Sequence, residues 1–236
     1  LTLQVVVDEE SRFLQRCGAP LNNALLREGR DAALMSGVPA KFVLLDDVLD
    51  ERAPEASVYL FLNAFRLSRE ERGRLQERFA QEKAAVIWLY APGYLDEQAG
   101  VNQIAETTRI AVAPFSKPER AGSRMSIDGV WIRQNETFGY RGVLSPLVYI
   151  NDGEADVIAV FEGSGKPSAA FKTIQTGWTS VLIADSNCLT AYAACDIVIP
   201  LTVIEELDGL KSRPDDVGRA ARAALRHLEE IRLRAG

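Results

Sequence analysis

The sequence has 236 residues, of which 47% are hydrophobic and 25% are charged, and this composition is typical of a soluble globular protein with a substantial core. Its net charge of -6 gives no overall attraction to a polyanion, so we expect nucleic acid not to be its partner. No apolar run approaches the roughly 20 residues that a membrane-spanning helix needs, which excludes the membrane class.

The thiols and the single imidazole narrow the possible chemistry. Cys17, Cys188 and Cys195 lack the paired spacing of a disulfide framework or a zinc site, so we expect a reducing compartment, the cytoplasm. His227 is the only histidine, and any Cys-His or Ser-His-Asp mechanism would depend on that one residue.

The first predicted elements alternate between strand and helix. Residues 3–7 are rich in valine and predict a strand. Residues 21–35 carry apolar side chains at helical spacing and end at Gly37, which predicts a helix with a C-terminal stop. Residues 41–45 predict the next strand.

Residues 58–96 are the best-defined unit of the sequence. An apolar run at 58–62 precedes Ser68 and Glu71, whose spacing is that of a capping box at a helix start. A second apolar run at 84–90 follows the helix. Two short apolar strands joined by a helix predict a parallel β-α-β unit, because such strands are covered on both faces.

Three of the four predicted strands described so far are followed by polar residues, and the fourth is followed by a turn. In an open α/β sheet the carboxyl ends of the strands form the crevice where ligands bind. The predicted ligand crevice therefore consists of Asp8, Asp46, Asn63, Tyr90 and Gly93. A second interpretation is that the polar residues among them only cap turns and helices.

From residue 101 the pattern becomes rich in short strands. A helix is predicted at 101–108. The strand candidates, separated by Pro, Gly and Asn-Asp-Gly punctuation, are 110–113, 125–127, 130–132, 147–150, 157–161 and 168–171. Residues 162–166 resemble part of a phosphate loop but lack its spacing, and we predict a hairpin turn there.

The C-terminal part returns to longer elements. We predict strands at 176–183 and 196–199 and helices at 203–210 and 217–233. Together the elements predict the α/β class: a flavodoxin-like open parallel sheet flanked by helices, with a β-hairpin-rich insertion at residues 110–171.

Five sequence segments, in order along the chain, resemble those of a known protein family. They are Val-Val-Val-Asp-Glu-Glu-Ser11, Leu-Leu-Asp-Asp47, Val-Tyr-Leu-Phe-Leu-Asn-Ala-Phe65, Ile-Trp-Leu-Tyr-Ala-Pro-Gly93 and Gly-Trp-Thr-Ser180. Residues 1–183 resemble the class I glutamine amidotransferase-like domain that accompanies some β-galactosidase-type glycoside hydrolases, where it is similar to their trimerisation domain.

This resemblance implies a flavodoxin-like sheet without amidotransferase chemistry. An active amidotransferase places a cysteine on the tight turn after a strand, whereas the matching turn here, Tyr90 to Gly93, has no thiol. The resemblance implies a scaffold that forms a homo-oligomer or contacts a neighbouring glycosidase domain, without a cofactor.

A second resemblance covers residues 181–234. The segments Ile-Ala-Asp-Ser-Asn187, Asp-Ile-Val-Ile-Pro200 and Val-Ile-Glu-Glu-Leu-Asp-Gly209 are similar to the front half of the PIN nuclease domain attached to PhoH-type ATPases. By position Asp185 matches the first metal-binding acid of that family and Glu206 the second. The resemblance implies Mg²⁺ or Mn²⁺ as the cofactor. The remaining acids of the family have no match here, and two carboxylates are too few for a two-metal site.

Two resemblances meet near Ser180, because both families have a β-strand followed by a polar turn at that point. We therefore predict an amidotransferase-like domain at 1–183 and a PIN-like segment at 184–236 that completes the α/β unit. The preferred function is a non-catalytic scaffold or assembly domain, and the alternative is a metal-dependent PIN-type ribonuclease. A third hypothesis, a sugar-binding module that uses Trp88, Tyr90 and Tyr94, is weaker because aromatic residues in a buried strand usually belong to the core.

Overall fold

The computed structural model describes residues 2–15, 19–36, 38–96, 98–127 and 134–186, followed by residues 209, 211–213, 218–219, 221–222 and 225–226. The chain divides into two compact units, Leu1–Ala194 and Cys195–Gly236. All elements whose bounds are given below lie in the first unit. The predicted boundary at residues 183 and 184 stays a prediction.

Thirteen strands with assigned bounds make up the β-structure. They are β1 Leu3–Val7, β2 Ala40–Leu44, β3 Val58–Phe61, β4 Ala85–Leu89, β5 Val112–Pro114, β6 Glu119–Arg120, β7 Ser123–Met125, β8 Thr137–Phe138, β9 Val143–Leu144, β10 Val148–Ile150, β11 Asp156–Phe161, β12 Pro167–Thr173 and β13 Thr179–Ile183.

The helical elements are fewer than the strands. They are α1 Glu9–Phe13, α2 Pro20–Asn22, a π-helical segment Asn23–Glu28, α3 Gly29–Met35, α4 Leu45–Leu49, α5 Arg69–Glu82 and α6 Val101–Thr108.

A nine-stranded sheet organises the unit, in the order β2-β1-β3-β4-β13-β12-β11-β7-β8. The first five strands are parallel to one another, and the remaining pairs are antiparallel. The prediction of an α/β fold with a sheet flanked by helices and a hairpin-rich insertion is confirmed. The insertion is continuous with the sheet, because β12 pairs directly with the last parallel strand, β13.

The β3-α5-β4 unit shows why the parallel half is stable. Ser68 caps α5 by accepting a hydrogen bond from the Glu71 N–H, and the Glu71 carboxylate accepts one from the Ser68 N–H, as the sequence predicts. Phe79 of α5 then packs edge-on against Phe61 and Trp88 of the two strands. This apolar face, fully buried on one side of the sheet, fixes the helix over the strands.

The antiparallel half is built from hairpins. Residues 162–166 connect β11 to β12, which confirms the predicted hairpin turn in place of a phosphate loop. A tight turn at Gly177, whose φ of 97° suits glycine, connects β12 to β13. Two small antiparallel sheets, β5 with β10 and β6 with β9, accompany these hairpins.

Several predicted boundaries were wrong by a few residues, each for a local reason. The strand predicted at 41–45 ends at Leu44, since Leu45 has the helical spacing to Val48 and Leu49 and buries its side chain with them in α4. The strand predicted from 176 begins at Thr179, because the preceding residues form the Gly177 turn. The helix predicted at 21–35 begins at Pro20 and contains the π-helical segment.

Other predicted features lie outside the described residues. These are the strands at 130–132 and 196–199, nearly all of the helices at 203–210 and 217–233, the three cysteines, Glu206 and His227.

Candidate functional site

The carboxyl ends of the parallel strands bring Asp8 and Asn63 into direct contact. The Asn63 side-chain oxygen accepts a hydrogen bond from the Asp8 N–H at 2.9 Å, and its amide nitrogen donates to the Asp8 carbonyl at 2.7 Å. Asn63 therefore continues the pairing of β3 with β1 by one residue, through its side chain. Both residues are buried, and this exchange satisfies two backbone groups of the strand end.

The Asp8 carboxylate caps helix α1. It accepts a hydrogen bond from the Glu10 N–H at 3.0 Å and another from the Ser11 hydroxyl. Burial raises the pKa of Asp8 above its ordinary value, while the hydrogen bonds from Ser11 and Glu10 oppose that rise. The interpretation of Asp8 as a cap is thus confirmed, and a ligand-binding role for it stays a prediction.

Ser11 is a residue of this network that sequence reasoning missed. Its hydroxyl accepts hydrogen bonds from the N–H groups of Phe65 at 3.0 Å and Arg66 at 2.9 Å, while donating to Asp8. The buried hydroxyl ties the start of α1 to the loop after β3. The only signal in the sequence was its position three residues after a capping Asp8.

Asp46 lies beside this network without joining it. The residue is exposed in the first turn of α4, and together with Asp8 it borders a small depression. The depression is lined by Asp8, Glu9, Glu10, Leu44, Leu45 and Asp46. The carboxylates at its rim would repel an anionic ligand, and its size leaves little room for a sugar.

Tyr90 occupies the elbow at the end of β4. Its backbone has a φ of 63°, the left-handed region that a non-glycine residue adopts only when its surroundings enforce it. The ring is buried edge-on against Phe65, and the hydroxyl donates to the Pro146 carbonyl at 2.7 Å. Burial raises the pKa of the Tyr90 hydroxyl, so the neutral donor form is stable. At this elbow the Tyr90 side chain joins the end of β4 to the segment that contains Pro146.

Gly93 closes the same turn. Its N–H donates to the Ala64 carbonyl at 2.8 Å, which joins the turn to the loop that follows β3. A Cβ at this position would lie 2.1 Å from the Thr107 hydroxyl oxygen, and the φ of +66° also favours glycine. The predicted crevice residues thus share one edge of the sheet, and each of them forms at least one hydrogen bond within the protein.

Asp185 follows β13 and is completely buried. One carboxylate oxygen accepts hydrogen bonds from the Gly122 N–H at 2.8 Å and the Ser123 hydroxyl at 2.9 Å. The other accepts from the Tyr140 N–H at 3.0 Å and from the Ser186 N–H at 2.7 Å. Burial raises the pKa of Asp185, and these four donors act against that rise. Glu206, its predicted partner, is not among the described residues.

The aromatic residues of the sugar-binding hypothesis do not form a platform. Trp88 is stacked on Phe61 with ring centroids 4.3 Å apart and is 1% exposed. Tyr90 is equally enclosed, and Tyr94 is half-buried against the core. The core role that was weighed against this hypothesis fits these positions.

Metal ligands do not cluster in the described part of the chain. Within it, no group of three His, Cys, Asp or Glu side chains is placed so that it could hold a metal ion. Within the same residues, none of the helices has the length and apolar character needed to cross a bilayer.

Comparisons with known proteins divide the chain in two. A family model described as a PIN domain matches residues 179–235. The same region is similar to proteins named PhoH2, with 43% identity over 58 residues to the one from Thermobispora bispora and 37% over 54 residues to the one from Bacillus subtilis. These matches involve 25% and 23% of this chain, which spans only 13% and 12% of the two relatives' lengths.

A structural comparison covers most of the chain. A β-galactosidase from the haloarchaeon Halorubrum lacusprofundi superimposes on 81% of this chain and 29% of its own, with a TM-score of 0.54 and 12% sequence identity. At that identity the likeness concerns the fold. The PIN match begins at the first residue of β13, so this strand of the sheet lies within the region that matches the PIN family model.

Proposed function

We propose that the first unit is a non-catalytic, amidotransferase-like scaffold domain, which supports assembly with a second copy or with a neighbouring glycosidase domain. The observation that carries the proposal is the elbow after β4. There the position of a nucleophile is taken by Tyr90, whose buried hydroxyl is engaged by the Pro146 carbonyl.

The chemistry of this elbow supports the scaffold role. A nucleophile at a strained turn has to reach substrate and requires a base within hydrogen-bond distance. The hydroxyl of Tyr90 instead bonds to the hairpin insertion, and its raised pKa keeps the phenol protonated at neutral pH. The same contact gives the residue a structural task, since it links the sheet to residues 56 positions further along the chain.

The fold also supports the role. The first unit shares its architecture with part of a β-galactosidase chain. Glycosidic cleavage itself needs two carboxylates placed across a sugar. The strand-end carboxylate of Asp8 is used as a helix cap, and Asp46 is exposed at the rim of the small acidic depression. On this proposal, hydrolysis is the task of another domain, while this unit supplies contact surface.

A second candidate function is a Mg²⁺- or Mn²⁺-dependent ribonuclease of the PIN type. The match of residues 179–235 to the PIN family and the 43% identity to PhoH2 favour it. In that reading Asp185 and Glu206 would hold the metal, which would activate water at a phosphodiester.

The two functions are separated by an RNA-cleavage assay of the full chain with Mn²⁺ and with Mg²⁺. The scaffold proposal predicts no cleavage of single-stranded RNA and no release of ammonia from glutamine. Metal-dependent cleavage that Asp185→Asn abolishes and the exposed control Asp156→Asn preserves would establish the nuclease.

Sedimentation velocity over a range of concentrations tests assembly, and we expect self-association. A monomer at every concentration would point to a glycosidase domain as the partner.

A further inference from the structure

The PIN resemblance and the folded chain imply different roles for strand β13 and Asp185. The PIN match starts at Thr179, and the PIN resemblance makes Asp185 its first metal ligand. In the folded chain, however, β13 is an interior strand of the nine-stranded sheet. It pairs over five residues with β4 on one side and over five residues with β12 on the other.

The surroundings of Asp185 do not fit a divalent cation. Mg²⁺ and Mn²⁺ take several oxygen ligands and need carboxylate lone pairs directed at the ion. Each oxygen of Asp185 already accepts two hydrogen bonds, and the donors approach from both sides of the carboxylate. Within the described residues, no second and third acidic, His or Cys ligand accompanies it.

The backbone opposite Asp185 is shaped to enclose it. Gly139 has a φ of 106°, and a Cβ there would lie 2.1 Å from a carboxylate oxygen. The glycine therefore permits a close approach that any side chain would prevent. Three of the four donor groups come from two strand ends of the insertion: Gly122 and Ser123 at the start of β7, and Tyr140 just after β8. The fourth is the N–H of the adjacent Ser186.

We infer that Asp185 is a latch that fastens the hairpin insertion to the end of β13, and that this use withholds it from metal binding. The segments held by the latch lie 45 to 63 residues before Asp185. A single carboxylate thus holds both strands of the β7-β8 pair, in which Ser123 and Phe138 are register partners. Coordination of a metal ion by a carboxylate oxygen of Asp185 would displace hydrogen-bond donors from that oxygen.

The test is hydrogen exchange and thermal unfolding of the full chain, comparing the native sequence with Asp185→Asn and the exposed control Asp156→Asn. An asparagine keeps one acceptor oxygen and places N–H groups against donors. We expect the amides of Gly122 and Tyr140 to exchange about tenfold faster or more in Asp185→Asn, with no change in the control. We also expect Mn²⁺ to change the melting temperature equally in all three proteins.

Two milder variants keep the inference testable if Asp185→Asn fails to fold. Ser123→Ala removes one donor and is expected to lower the melting temperature by about 2–4 °C, without changing the response to Mn²⁺. Gly139→Ala should speed exchange at Gly122 and Tyr140 although it leaves the carboxylate intact. Unchanged exchange in these variants would overturn the inference, as would Mn²⁺ stabilisation of the native chain that Asp185→Asn removes.

Discussion

The parallel and antiparallel halves of the sheet share one hydrophobic core but differ in strand length and in polar contacts. The parallel half, β2-β1-β3-β4-β13, packs aromatic and branched side chains under α5, with Phe61, Phe79 and Trp88 fully buried. The antiparallel half also buries apolar side chains, such as Phe161 and Ala170, but its strands β7 and β8 have only three and two residues. Hydrogen bonds of Asp185 and Tyr90 add to the pairing of β12 with β13 in holding the insertion. The core is thus common to both halves, and specific hydrogen bonds help to position the insertion.

The largest expected effect comes from removing an aromatic ring of the parallel half. Trp88→Ala should lower the free energy of unfolding by about 3–5 kcal/mol, because the indole is enclosed by Phe61 and Phe79 and its loss leaves a cavity. Chemical denaturation monitored by circular dichroism measures this. Phe171→Ala, on the partly exposed face of β12, is the matched control and should cost less than about 1 kcal/mol. Similar losses in both variants would contradict the burial of Trp88 in the core.

A smaller effect is expected at the turn where the two halves meet. Gly93→Ala combines a positive φ with a Cβ position 2.1 Å from the Thr107 hydroxyl oxygen, so we expect a loss of about 2–3 kcal/mol. The control is Gly73→Ala on α5, where nothing lies within 4 Å of the added Cβ. That change should stabilise the helix by about 0.5–1 kcal/mol. The two melting temperatures should therefore move in opposite directions, and a parallel shift would refute the geometry of the turn.

Removing the Tyr90 hydroxyl should loosen the insertion alone. Tyr90→Phe keeps the ring against Phe65 but leaves the Pro146 carbonyl without its donor, which costs about 1 kcal/mol. Hydrogen exchange should accelerate around residues 143–150 and stay unchanged in β1 and β3. Faster exchange throughout the parallel strands would show that the hydroxyl supports the core instead of the insertion.

The smallest effect is a pH dependence in the antiparallel half. Burial by itself would raise the pKa of Asp152, but hydrogen bonds from the Ala111 and Glu154 N–H groups and from Lys172 bring it below its ordinary value of 3.8. The folded state then favours the carboxylate, so the stabilisation is complete above pH 3.8 and is lost as the pH falls through the lowered pKa. The stability difference between the native chain and Asp152→Asn should be at most about 1 kcal/mol near neutral pH and vanish in acid. A difference that grows on acidification would contradict this assignment.

The sequence predicted the parallel half well because its signals are local. The apolar runs, the Ser68–Glu71 capping box and the Tyr90–Gly93 turn each specify a short piece of backbone, and their order implies a parallel sheet. The site was harder to predict. Asp8 was correctly weighed as a cap, but the partners of Asp185 lie in hairpins far away in sequence. No local pattern connects Gly122 or Gly139 to that carboxylate, since these residues come together only when the whole sheet has formed.

The role of β13 is the central claim, and amide hydrogen exchange of that strand tests it most directly. If β13 is an interior strand of the sheet, the amides of Val181 and Ile183 should be as strongly protected as those of Val86 and Trp88 in β4, with or without Mn²⁺. Rapid exchange of Val181 and Ile183 while β4 remains protected would contradict the account, because β13 would then not belong to the folded scaffold.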